Sequence, residues 1–109
     1  MNIEEIREYA LSLTDVTEDM PFGDDNIVFR IKGKIFLCLN LDAPEPHFAT
    51  KLLPERNEEI RDKYQWVKPA WHWNKKHWSD IYYGHIDSNC VKEWIKEAYD
   101  LVAGKNKRK

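Results

Sequence analysis

Residues 26 to 41 constrain the fold more than any other stretch. Asn26 to Lys32 alternates, with Ile27, Phe29 and Ile31 pointing one way and Arg30 and Lys32 the other, the period of a half-buried strand. Lys32-Gly33-Lys34 then supplies a tight turn, with glycine where the backbone needs positive φ. Lys34 to Leu41 returns as a second strand. Ile35, Leu37, Leu39 and Leu41 are expected to face the core, and Phe36 and Cys38 make its back face apolar as well. A hairpin with one greasy face must lie under something amphipathic. The ends of the chain provide it.

Asn2 to Leu13 reads as a helix with Asn2 as cap, Glu5 as its capping-box partner, and Ile3, Ile6, Ala10 and Leu13 on one stripe. Asp87 caps a second helix, which runs to about Val102. Its stripe is Val91, Trp94, Ile95, Ala98, Leu101 and Val102, and Gly104 stops it. Thr14 to Asp25 reads as a connection made rigid by Pro21-Phe22-Gly23, with Phe22 folding back onto the core. His47 to Leu52 is a third strand, and Pro54 opens a polar, peripheral helix to Tyr64 anchored by Ile60 and Tyr64. Gln65–Pro69 and Asp80–Tyr83 complete the strands. The order α-β-β-β-α-β-β-α predicts an α+β fold, an antiparallel sheet with helices packed on it. Residues 1–104 form one expected domain, and 105–109 a basic C-terminal tail.

The stretch Trp66 to Trp78, WVKPAWHWNKKHW, holds four of the five tryptophans and two of the four histidines. No acid occurs from Lys63 to Ser79, although the chain carries a net charge of −2. Residues 1–62 hold 14 acids against 7 bases and residues 63–109 hold 5 against 10, so the charge is strongly segregated. Part of that basic excess is the tail itself, at Lys105, Lys107, Arg108 and Lys109. In an extended backbone Trp71 and Trp73 would share one face, and His72 and Asn74 the other. Trp78 and Trp94 read as core, Trp66 and Trp71 as even between core and surface, and Trp73 as the most exposed.

Catalysis finds little support. His72 and His77 are five apart, and His47 and His85 stand elsewhere; none has helical ligand spacing or a nearby cysteine, so no metal or other cofactor is expected. Ser12, Ser79 and Ser88 lie in no nucleophile turn, and the four glycines form no phosphate loop. Cys38 and Cys90 read as reduced thiols. The reading is non-enzymatic. No apolar run reaches the ~20 residues of a membrane helix, and the N-terminus has no signal pattern, so a cytoplasmic, monomeric protein with no membrane partner is expected.

Binding is the remaining class. Lys68, Lys75 and Lys76 surround Trp73, His72 and Asn74, and ammonium groups beside indoles suit phosphates and unpaired bases. Arg30, Lys32 and Lys34 mark the hairpin tip as a second basic projection. The bland alternatives are a solvated strand face for the hairpin and core packing for the tryptophans. Two rival functions stay open: a chaperone-like module holding a protein or peptide on a sheet face or the aromatic loop, motivated by the apolar back of the second strand at Phe36 and Cys38, and a small-molecule pocket lined by Trp71, Trp73 and Tyr83.

Three segments carry a family resemblance: Pro21-Phe22-Gly23, Val28 to Phe36, and Trp71-His72-Trp73-Asn74-Lys75-Lys76-His77-Trp78. Together they resemble the MmcQ/YjbR-like family of small bacterial proteins. The resemblance implies a secretion-chaperone-like α+β architecture described as a double-wing DNA-binding fold, with DNA as partner and no catalytic activity or cofactor. It marks His72, Asn74, Lys75, His77 and Trp78 as signature positions. That signature can contact a ligand, or it can fix the loop, with Asn74 as cap, His72 and His77 donating to backbone, and Trp78 as plug. Trp71 and Trp73 stand where relatives often have tyrosine and methionine.

Overall fold

The computed structural model describes residues 1–104; the basic segment 105–109 lies outside the described residues. The elements are α1 (Ile3–Ser12), β1 (Thr17–Asp19), β2 (Asn26–Ile31), β3 (Lys34–Asn40), β4 (Phe48–Lys51), α2 (Pro54–Lys63), β5 (Val67–Pro69), β6 (Trp78–Ile81) and α3 (Ser88–Ala103), with a 3₁₀ turn at Tyr83–His85 before α3. All strand pairs are antiparallel in one sheet of order β1-β2-β3-β4-β6-β5. The fold is α+β, with the expected elements in the expected order.

Local chemistry sets the helix ends. The Asn2 side chain accepts from the Glu5 amide at 2.8 Å, and the Glu5 carboxylate accepts from the Asn2 amide at 3.0 Å. Asp87 accepts from the Asn89 amide at 2.7 Å, and Gly104 closes α3 in the left-handed conformation at φ 79°. α1 and α3 cover one face of the sheet. Ile6, Ala10, Val91, Trp94, Ile95 and Ala98 pack there on Phe29, Leu37, Leu39, Phe48 and Ile81. The other face carries a smaller cluster of Val28, Cys38, Ala49, Ala70 and Trp78, edged by Ile35 and Trp73; no helical residue joins it among the described residues.

Three local expectations are corrected. The connection 14–25 contains β1, an edge strand too short and acidic to show a strand pattern. Its Glu18 pairs with Arg7 of α1 and its Asp19 with Arg30 of β2, so ion pairs supplement its ladder. A bulge shifts the β2–β3 register between Phe29 and Arg30: Phe29 faces Leu37, whereas Arg30 faces Ile35. Phe36 therefore turns to the helix side, where its ring meets Tyr99 edge-on at 5.7 Å, and Ile35 goes to the back. Finally, β6 starts at Trp78, two residues earlier than expected, because Trp78 pairs with Lys51 and the chain turns at Tyr83. A two-residue shift preserves which side each residue faces.

Candidate nucleic-acid interface

Strand register decides which basic residues meet. The β2–β3 turn, the end of β4 and the start of β6 lie at the same end of the sheet, because Ile31 faces Lys34 and Lys51 faces Trp78. The loop of residues 70 to 77 is at that end too, since the Ala70 amide donates to the Trp78 carbonyl at 3.2 Å. Arg30, Lys34, Lys51 and His77 thus line one groove of about 600 Å³, with Leu53, Trp78 and the end of α3 completing it. None of the described residues lining it is acidic.

The nine candidate residues fare differently. Arg30 is anchored: its guanidinium pairs with Asp19 at 3.0 Å and donates to the Gly33 carbonyl at 3.2 Å. Lys32, at φ 56°, shares the positive-φ turn with Gly33 and sends its ammonium to the Ala103 carbonyl at 3.1 Å. It caps the negative end of α3 while its side chain stays exposed. Lys34 is exposed and lines the groove, and neither it nor Lys51 joins an ion pair among the described residues. Lys68 lies away from the groove on edge strand β5, over the Trp66 and Tyr82 rings at 5.8 and 5.7 Å.

Within the loop, most polar groups hold the loop itself. Asn74 Oδ1 accepts from the Lys76 amide at 2.9 Å, and the Asn74 carbonyl accepts from His77 and Trp78. Asn74 is therefore the cap of a turn. Lys75 Nζ donates to the Ala70 carbonyl at 3.0 Å and lies 5.8 Å from the Trp71 ring centroid. Lys76 and His72 are exposed, and the Trp71 ring meets His72 edge-on at 6.2 Å. Trp73 departs from expectation: it is half-buried, stacked on Trp78 at 4.3 Å, while Trp71 is 75% exposed. The backbone bends at Trp71–Trp73 instead of running extended, and the two indoles differ in burial. Phe22 is not in the core but 59% exposed, with its ring edge-on to Trp73 at 6.1 Å.

The expected pocket of Trp71, Trp73 and Tyr83 does not form. Tyr83 belongs to the helix-side core, stacked on Phe48 at 5.9 Å. The apolar back face loses Phe36 to the bulge but keeps Cys38, with Ile35 at its edge. No group of three or more His, Cys, Asp or Glu residues is placed to hold a metal, and no helix is long and apolar enough to cross a membrane, among the described residues.

Four residues that hold or line the site escaped sequence reasoning. Asn57 of α2 is buried and donates to the carbonyls of Leu52 and Lys76 at 3.1 and 3.2 Å, while accepting from the Ser79 hydroxyl at 2.7 Å. Arg61, one turn on, donates to Ser79 Oγ at 3.0 Å and to the carbonyls of Lys75 and Trp78. Their spacing with Ile60 and Tyr64 was the available signal: Asn57 and Arg61 occupy the inward stripe of a helix read as peripheral. Lys51 was visible only as an outward strand residue. Asp80 is 6% exposed, directly across from Lys68 on one side and Ala49 on the other, and accepts from the Trp71 amide at 3.1 Å. Burial raises its pKa above the ordinary aspartate value; the Trp71 hydrogen bond and the charges of His47, His72 and Lys75 oppose that shift. Burial and the Asp80 charge together push the Cys38 thiol up to about 11.

Comparison with known proteins places this architecture. The YjbR family model matches residues 11–101. The chain is 33% identical over 100 residues to the uncharacterized protein YbdF of Escherichia coli O157:H7, spanning 91% of this chain and 82% of that one. It is 24% identical over 82 residues to the uncharacterized protein YjbR of Escherichia coli K12, spanning 75% and 70%. The crystal structure of Deinococcus radiodurans protein DR2400, with domain DUF419, superposes with a TM-score of 0.88 at 27% identity, covering 99% of this chain and 83% of that one. A Pseudomonas syringae protein superposes with a TM-score of 0.81 at 25% identity, covering 94% and 99%. With a family match across most of its length and the same fold in these relatives, the chain belongs to the YjbR family.

Proposed function

We propose that the protein is a non-enzymatic DNA-binding protein of the cytoplasm, acting through the sheet end where the hairpin tip and the tryptophan loop meet. One observation carries this reading: Arg30, Lys34, Lys51 and His77 converge on a groove with no acid among its described lining residues, in a chain whose net charge is −2. Ammonium groups in such a groove replace counterions along a phosphate backbone, and the gain is entropic and salt-sensitive. Lys76 and Trp71, exposed on the adjoining loop, extend the same surface. Arg30 contributes less than its charge suggests, since Asp19 offsets it. Lys32, Asn74 and Lys75 serve by fixing the two projections.

The acidic remainder of the molecule predicts weak, strongly salt-dependent affinity. Anisotropy of a labelled duplex, titrated with protein between low and moderate salt, tests this. Binding that falls steeply with salt supports phosphate contact. Binding indifferent to salt, or absent at low salt, removes the reading.

A further inference from the structure

The helix-free face of the sheet holds a second depression, next to the groove. Register sets Val28, Cys38, Ala49, Asp80 and Lys68 in one row across β2, β3, β4, β6 and β5. Cys38 and Ala49, at its centre, are too small to fill the space above them. The result is a trough of about 380 Å³ bounded by Phe22, Asn26, Cys38, His72 and Trp73, within the size range of small-ligand sites, which begins at roughly 300 Å³.

Its walls suit a flat ring. Phe22 and Trp73 supply aromatic surface at 6.1 Å and 74° to one another. The Cys38 floor is buried and uncharged. Hydrogen-bonding groups stand at the rim: His72, and the Asn26 amide, whose Oδ1 already accepts from Asn40 at 3.3 Å, leaving its NH₂ group to donate. Asp80 fixes the Trp71 amide and so positions the loop that carries His72 and Trp73. Trp73 also stacks on Trp78, which lines the cationic groove. One stacked pair of indoles thus contributes a ring to each depression, Trp73 to the trough and Trp78 to the groove. A nucleotide has the same arrangement, an anionic group one sugar away from a planar ring.

We propose that this trough takes a single unpaired nucleobase, lodged against Phe22 and Trp73 with His72 and Asn26 at its edge. The strand-borne form of this inference rests on the nucleic-acid reading above, and makes single-stranded or locally opened DNA the preferred partner over closed duplex. Free nucleoside monophosphates carry the same ring and are the other source.

Phe22→Ala is the decisive variant, because Phe22 is exposed and its removal leaves the core intact. Anisotropy is measured with a labelled single strand, its abasic counterpart and the closed duplex. Separately, adenosine and thymidine monophosphates are titrated against tryptophan fluorescence. The intact strand is expected to bind more tightly than the abasic one, and Phe22→Ala to weaken it about tenfold, as loss of a base–aromatic stack does, while leaving abasic binding unchanged. Equal binding of intact and abasic strands, or no effect of Phe22→Ala on the intact strand, overturns the base site. Salt-dependent binding weakened by Lys34→Glu would leave the DNA reading standing in that case. If no strand binds but a monophosphate quenches wild-type and not Phe22→Ala fluorescence, the base site stands and the DNA reading falls. If neither a strand nor a monophosphate binds, both fall.

Discussion

The indole of Trp73 lies on that of Trp78 with ring centroids 4.3 Å apart and planes inclined by 24°. Trp78 is 8% exposed and belongs to β6, so the stack ties a bent surface loop to the sheet. Aromatic pairs of this geometry contribute about 0.5–1.5 kcal/mol beyond the area they bury. The loop is thus a fixed surface, and its neighbours can be assigned to holding it or to meeting a partner.

Asn57 is a holding residue. Asn57→Ala leaves the carbonyls of Leu52 and Lys76 and the Ser79 hydroxyl without this partner inside the protein. A loss of about 2–4 kcal/mol in urea unfolding is expected, since buried polar groups left unsatisfied cost about 1–3 kcal/mol each and relaxation recovers part. Tryptophan emission should move to the red as the loop loosens. An unchanged midpoint and spectrum would mean that α2 does not fix the loop.

The groove and the hairpin tip separate under mutation. Lys34→Glu and Lys51→Glu should each weaken duplex binding, and neutralising one phosphate-contacting lysine should lower the salt slope by about one. Both proteins should keep wild-type stability. Lys32→Ala should do the reverse, costing about 1 kcal/mol through the lost cap on Ala103 with little change in the salt slope. Paired measurements of affinity and urea midpoint check the contrast.

Asp80 gives a pH dependence of unusual sign. Burial raises its folded pKa above the ordinary value, so between those two pH values the folded state binds more proton than the unfolded state. In that acidic window Asp80 makes stability fall as pH rises and recover as pH drops, the opposite of a paired carboxylate. Glu18 is such a pair: the Arg7 hydrogen bond lowers its pKa, and its contribution is lost on acidification. Asp80→Asn keeps an acceptor for the Trp71 amide and removes the ionisation. It should raise stability at neutral pH and leave a profile in which acid only destabilises. A profile parallel to wild type would overturn the assignment.

Tyr83 offers a test of the helix-side core. It is 2% exposed, and its hydroxyl has no hydrogen-bond partner among the described residues. Tyr83→Phe removes a buried polar atom without altering the ring stacked on Phe48. Thermal unfolding should show a midpoint equal to wild type or higher, by up to about 1 kcal/mol in stability. A marked loss would reveal a partner for the hydroxyl.

Much of the fold was legible because burial and periodicity agree. The α3 stripe, the capping box at Asn2 and the alternation of Ile27, Phe29 and Ile31 each follow from one face meeting the core. The misreadings arose where a nonlocal partner decides. Phe36 reverses its side because a bulge inserts a residue, and nothing in KIFLCL announces where. β1 pairs with β2, and Arg7 and Arg30 reach its acids from elsewhere in the chain, which no local pattern announces. Trp73, expected to be the most exposed, is half-buried because the loop bends to stack its indole on Trp78, and Trp71, even between core and surface, falls on the surface. The candidate cations were found by type, yet only partners three-dimensionally close, such as Asp19 for Arg30 and Ala103 for Lys32, divide anchoring from available charge. Lys51 went unassigned because its meeting with Lys34 and His77 depends on strand order.

The two outermost strands are each three residues long, and their chemistry discourages growth of the sheet. β1 presents Glu18 and Asp19 along its margin, and β5 ends at Pro69, which has no amide proton to give. A second copy docking by strand addition would find few ladder positions, one margin charged and the other blunted. Extension of the sheet from copy to copy is therefore disfavoured at both of its margins.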